Sequence, residues 1–128
     1  MSFKIFFGIW VLGVLLLVSS CSWNNEEDLY GSTGQICDVS SVTLSGSVAP
    51  LLDYNCNGCH STEYASSSGG NIVLDQYSLL KKYVDNGSLL GSIKHQSGYD
   101  AMPKSAAKLS ACDILTIHTW IENGAENN

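Results

Sequence analysis

Two cysteines separated by two residues and followed at once by a histidine, Cys56-Asn57-Gly58-Cys59-His60, constrain this chain more than any other string in it. The order C-x-x-C-H is the attachment pattern of a c-type haem. In that chemistry two thiols, one helical turn apart, add to the vinyl groups of one porphyrin, and the adjoining imidazole binds the iron. Cys56 and Cys59 are the expected thioether carriers, and His60 is the expected proximal ligand. The motif occurs once, which predicts a single covalent haem c.

Blander uses of two close cysteines compete with this expectation. A structural zinc site wants four ligands, and a contiguous Cys-His pair does not easily place both side chains on one tetrahedral ion. A thioredoxin-like pair expects a preceding strand and a βαβ pattern, which the hydrophobic periodicity does not offer. A plain disulfide between Cys56 and Cys59 stays open but leaves His60 unexplained.

Haem attachment requires export, and the N-terminus reads that way. Lys4 precedes an apolar run from Ile5 to Val18 broken only by Gly8 and Gly13. That is the length of a signal-peptide core and short of the roughly 20 apolar residues a membrane span needs. Val18-Ser19-Ser20-Cys21 resembles a lipobox in which Cys21 is lipidated, although Leu is usual where Val18 stands. Residues 1–20 are therefore expected to be a lipoprotein signal peptide, with an ordinary cleaved signal or an uncleaved anchor as the other readings. All three place the domain outside the cytoplasm. A lipid anchor would hold it on the membrane, facing the periplasm or the cell surface.

Residues 21–36 hold too few apolar side chains to repay ordering and are expected to form a flexible acidic linker. Its run Glu26-Glu27-Asp28 resembles the acidic export signals of Bacteroidetes-type surface lipoproteins; a solvated linker explains it equally well. The five cysteines then divide without remainder: Cys21 to lipid, Cys56 and Cys59 to haem, and Cys37 with Cys112 left as a pair. In an oxidising compartment a disulfide is the economical assignment for that pair, and two buried free thiols are the alternative.

Residues 37–128 form one small domain carrying nine acidic residues, five lysines and no arginine. Nucleic-acid binding wants clustered positive charge, and this balance opposes it. Lys81, Lys82, Lys94, Lys104 and Lys108 read as scattered solvation in preference to a docking face for an acidic partner.

The periodicity is helical. A short helix is expected over 45–54, with Val48, Leu51 and Leu52 on one face and Pro50 near its first turn. Ser61 to Asn71, with its Ser66-Ser67-Ser68-Gly69-Gly70 run, reads as a flexible loop. A helix capped by Asp75 should run to Asn86-Gly87, followed by a shorter one from Ser88 with Leu89, Leu90 and Ile93 inward. The last helix is expected to start at Ser110, with Asp113 approximating a capping box, and to end at Gly124. Its His118 reads as a surface or rim histidine.

Met102, in Ala101-Met102-Pro103-Lys104, is the one methionine remaining once Met1 is removed with the signal. A histidine-ligated haem iron commonly takes a methionine thioether opposite, and Pro103 restricts the backbone beside it. Met102 is thus the expected second axial ligand, with core filling as its bland role. His95 is the rival ligand; hydrogen bonding to a propionate or capping the helix before Gly98 are its other roles.

Cys37-Asp38, Val48-Ala49-Pro50, the haem motif, Asn86-Gly87, Met102-Pro103-Lys104, Lys108-Leu109-Ser110, Cys112-Asp113-Ile114 and Trp120-Ile121-Glu122-Asn123-Gly124-Ala125 resemble the small monohaem cytochrome c domains of Bacteroidetes-type lipoproteins. The resemblance covers roughly 37–128 and departs from the family at the serines of 66–68. It implies an all-α, class I cytochrome c-like fold of about four short helices with long loops around the haem. The N- and C-terminal helices should pack near the porphyrin.

With His60 and Met102 on the iron no position is left for oxygen or peroxide. The expected role is electron transfer between a donor and an acceptor protein, without catalysis. A haem peroxidase or gas-sensing domain requires Met102 to be absent from the iron. A haem-free structural lipoprotein requires the motif to be unused.

Overall fold

A computed structural model describes residues 37–128. The expected signal peptide, Cys21 and the 21–36 linker lie outside the described residues. Those described form helices and turns with no strand, so the fold is all-α. No helix among them is long and apolar enough to cross a membrane.

The first element begins at Thr43, whose Oγ1 accepts from the Gly46 amide at 3.0 Å. The Ser47 and Val48 amides both reach the Thr43 carbonyl, and this wide turn, Leu44–Val48, is π-helical. It continues without a break into α1, Ala49–Asn55. Pro50 follows at the junction of the two helical stretches, near the start of α1. Val48 and Leu52 are buried on the inner face, and Leu51 packs at its edge.

A four-residue helix, α2 (Asn57–His60), carries the motif. After an irregular stretch come α3 (Tyr77–Asp85) and α4 (Ser88–Ile93). Gly87 between them has φ 76°, the left-handed conformation that ends one helix and redirects the chain into the next. The Asn86 side chain accepts from both the amide and the hydroxyl of Ser88, at 2.9 and 2.6 Å, satisfying an N-terminal donor of α4.

Helix α5 spans Ala111–Glu122. Ser110 Oγ accepts from the Asp113 amide at 3.1 Å, the N-cap bond expected there. At the other end Gly124 is left-handed and the Ala125 amide closes on the Trp120 carbonyl at 2.9 Å. This is the helix stop that glycine makes inexpensive.

Ile114, Ile117 and Trp120 of α5 meet Leu44, Val48 and Leu52, and Leu80, Val84, Leu89 and Ile93 complete one core. The first and last helical elements thus touch directly. The tail fastens this contact: Asn128 accepts from the Leu44 amide through Oδ1 and from the Ser45 amide through its carbonyl. Trp120 Nε1 donates to Glu126 O, and Tyr77 Oη donates to Ala125 O.

Two expectations are corrected. Asp75 does not cap α3: Gln76 occupies that position, and the Asp75 carboxylate accepts instead from the amide and hydroxyl of Thr62. The Ser61–Asn71 segment is a chain of hydrogen-bonded turns rather than an open loop. Ala65 and Gly69 are buried within it, and the Gly69 and Asn71 amides both bond the Ala65 carbonyl. Its serines face solvent while those two small residues face the protein.

Candidate haem-attachment site

The motif is wound into a single helical turn. The Cys59 and His60 amides both donate to the Cys56 carbonyl, at 3.0 and 2.9 Å. Cys56 and Cys59 are free thiols: Cys59 is exposed, and Cys56 is half-buried against the core. Burial pushes the Cys56 thiol up to about 11. It therefore stays protonated at neutral pH, unlike the activated thiolates of redox motifs. Among the described residues no three His, Cys, Asp or Glu side chains converge as metal ligands.

His60 is held from one side. Its Nδ1 lies 3.2 Å from the Ile72 carbonyl, which can only accept, so Nδ1 carries the proton. Nε2 has no hydrogen-bond partner among the described residues and keeps its lone pair for a metal ion. An imidazole fixed by its second nitrogen is how proteins orient a histidine toward a metal.

The segment 72–75 supplies the rest of this brace. The Leu74 amide donates to the His60 carbonyl at 2.7 Å, and Asp75 takes the two bonds from Thr62 at 2.8 and 2.7 Å. These bonds, the backbone one foremost, hold the Asp75 carboxyl below the usual carboxylate range. Gly69 closes the arrangement from the turn side. A Cβ there would overlap the Cys59 carbonyl and lie 2.9 Å from His60 Nδ1.

Met102 lies between α4 and α5, partly buried, and is absent from the hydrophobic core cluster. Its amide donates to the Ser92 carbonyl at 3.1 Å, and its own carbonyl lies 2.9 Å from His95 Nε2. His95 itself has φ 54° just beyond α4, and the Gln96 amide bonds back to Gly91 at 2.9 Å. His95 thus ends α4 through its backbone, while its side chain is engaged with the Met102 segment. Cys37 and Cys112 stand at disulfide distance, their Cα atoms 5.5 Å apart, tying the start of the domain to α5. His118 is partly exposed and lies 3.6 Å from Glu122.

A cleft of about 610 Å³ opens between the end of α4 and the start of α5, lined by Lys94, Gln96, Lys108, Leu109, Ile114, Leu115 and His118. Cys56, Cys59, His60 and Met102 do not line it. The site is therefore defined by the hydrogen bonds that orient its side chains and not by this cleft. The residues that sequence reasoning missed are Ile72, Thr62, Asp75 and Gly69. Of these, Gly69 stood out as a glycine in a serine run and Asp75 as a helix cap, and neither signal pointed to His60.

Protein-family models, curated proteins and solved structures offer no match to the chain.

Proposed function

We propose that the chain is an exported, lipid-tethered monohaem c-type cytochrome of cytochrome c fold that carries electrons between partner proteins. The single observation that carries this is the state of His60. Its Nδ1 is committed to the Ile72 carbonyl and its Nε2 is free, directly after the unpaired Cys59 and one helical turn beyond the unpaired Cys56. That donor set fits a covalently held haem.

When bound, the haem supplies an iron that alternates between two oxidation states. The chain's own residues do the rest. Cys56 and Cys59 would tether the group, His60 would meet the iron through Nε2, and Met102, in the segment between α4 and α5, would supply a thioether. Two protein ligands exclude small molecules from the iron and limit it to electron exchange. Burial of a porphyrin would also add apolar surface to a domain small enough to need it. Lys81, paired with Asp85, contributes to solvation of α3, and the acidic balance of the surface favours protein partners over nucleic acid.

The test is a haem stain of the protein on a denaturing gel, after expression with a cytochrome c maturation system. The native chain should retain the stain, and Cys56→Ala with Cys59→Ala should abolish it. A native chain that runs unstained is not a c-type cytochrome.

A further inference from the structure

Between Asp100 and Leu109 the hydrogen bonds that cross to the end of α4 are two, and both fall on Met102. Its amide is held by the Ser92 carbonyl and its carbonyl by His95 Nε2. A carbonyl only accepts, so His95 is the donor in this pair. The approach is shaped by the same helix end. His95 turns the chain in the left-handed region, and the Tyr99 ring lies flat against Gly91, where any Cβ would overlap it. The peptide units on both sides of Met102 are thereby fixed to one rigid helix terminus, although the Met102 side chain takes no part in the core. A backbone so restrained, beneath a partly buried side chain that lies outside the core cluster, is arranged to present that side chain.

We propose that His95 is a positioning residue for Met102. Its imidazole N–H on the Met102 carbonyl sets the backbone from which the thioether reaches the iron, and so governs how firmly Met102 stays there. This rests on the cytochrome reading above. It also gives the rival ligand a different use: a ring whose Nε2 proton is spent on Met102 O supports methionine ligation without competing for it.

The test compares native holoprotein with His95→Gly and His95→Gln. Glycine accepts the left-handed backbone at position 95 without cost, so His95→Gly keeps the fold while removing the donor. Glutamine restores an N–H donor. Each oxidised protein is titrated with free imidazole, following loss of the weak long-wavelength absorption of the methionine–iron bond. Losing one hydrogen bond should lower the half-displacing imidazole concentration about tenfold in His95→Gly, and His95→Gln should recover most of that. The melting temperature of His95→Gly should stay at or above the native value, which separates positioning from a merely structural role. Unchanged displacement in His95→Gly, or no recovery in His95→Gln, overturns the proposal while leaving the cytochrome reading intact. A native protein that stains for haem but lacks the methionine band overturns both this proposal and the Met102 ligation. A native protein without haem overturns the whole reading.

Discussion

Thr62 and Asp75 are joined by two hydrogen bonds, from the Thr62 amide at 2.8 Å and its hydroxyl at 2.7 Å, across thirteen residues of sequence. Gln76 Nε2 adds a third bond to the same hydroxyl. The pair closes the loop that returns Ile72 to His60, so an exposed surface contact helps to hold the ring of the candidate iron ligand.

Asp75→Asn should weaken this closure with a small loss of stability, because the bonds are solvent-exposed. The folded state binds the Asp75 proton less readily than the unfolded chain. Its contribution is therefore complete above the unfolded value of about 3.9 and fades as pH falls through the lower folded value. Denaturant titrations from neutral to strongly acid pH should show a shallower acid limb in Asp75→Asn. An acid limb identical to the native one would show that the pair stabilises nothing.

Gly69→Ala should be costly despite the surface location of its neighbours. The added Cβ meets the Cys59 carbonyl, a backbone atom of the motif's turn, and His60 Nδ1, which is itself bonded to the Ile72 carbonyl. A loss of about 1–3 kcal/mol is expected, together with a shifted haem potential as His60 moves off Ile72. Equilibrium unfolding and a redox titration measure the two effects, and native values in both would remove Gly69 from the site.

Removing the Cys37–Cys112 link by Cys112→Ser should cost about 2–5 kcal/mol, since the pair closes a loop of 75 residues. Thermal melts with and without a reducing agent should agree with this variant. A thiol assay giving this variant one free group more than the native protein would confirm the pairing, and native thiols at Cys37 and Cys112 would refute it.

Met102→Ala should abolish the long-wavelength band and allow carbon monoxide to bind the reduced protein, while leaving the covalent haem in place. Carbon monoxide binding by the unmodified protein would instead favour a peroxidase or gas-sensing role.

Much of the helical frame was legible because it rests on local rules. Ser110 capping, Gly124 termination and the Gly87 break each follow from one residue's backbone chemistry, and the structure has all three. Asp75 was misjudged because a carboxylate two residues before a helix reads as a cap whether it turns to its own helix or to Thr62. The turns of the serine run are not legible in composition, which reports solvent exposure, whereas the buried Ala65 and Gly69 on either side of Ser66, Ser67 and Ser68 set which face turns inward. Hydrogen bonds spanning many residues, such as His60 to Ile72 and Leu44 to Asn128, leave no periodic trace in sequence. The motif announced Cys56, Cys59 and His60 as chemistry, and only the fold could supply the carbonyl that orients the ring.

The most direct test is a redox-titrated absorption spectrum of the full chain produced with a cytochrome c maturation system. The protein should show a c-type haem spectrum that survives denaturation, a single one-electron transition, and a methionine–iron band when oxidised. A chain with no covalent haem absorbance, or one whose oxidised haem lacks that band, would contradict it.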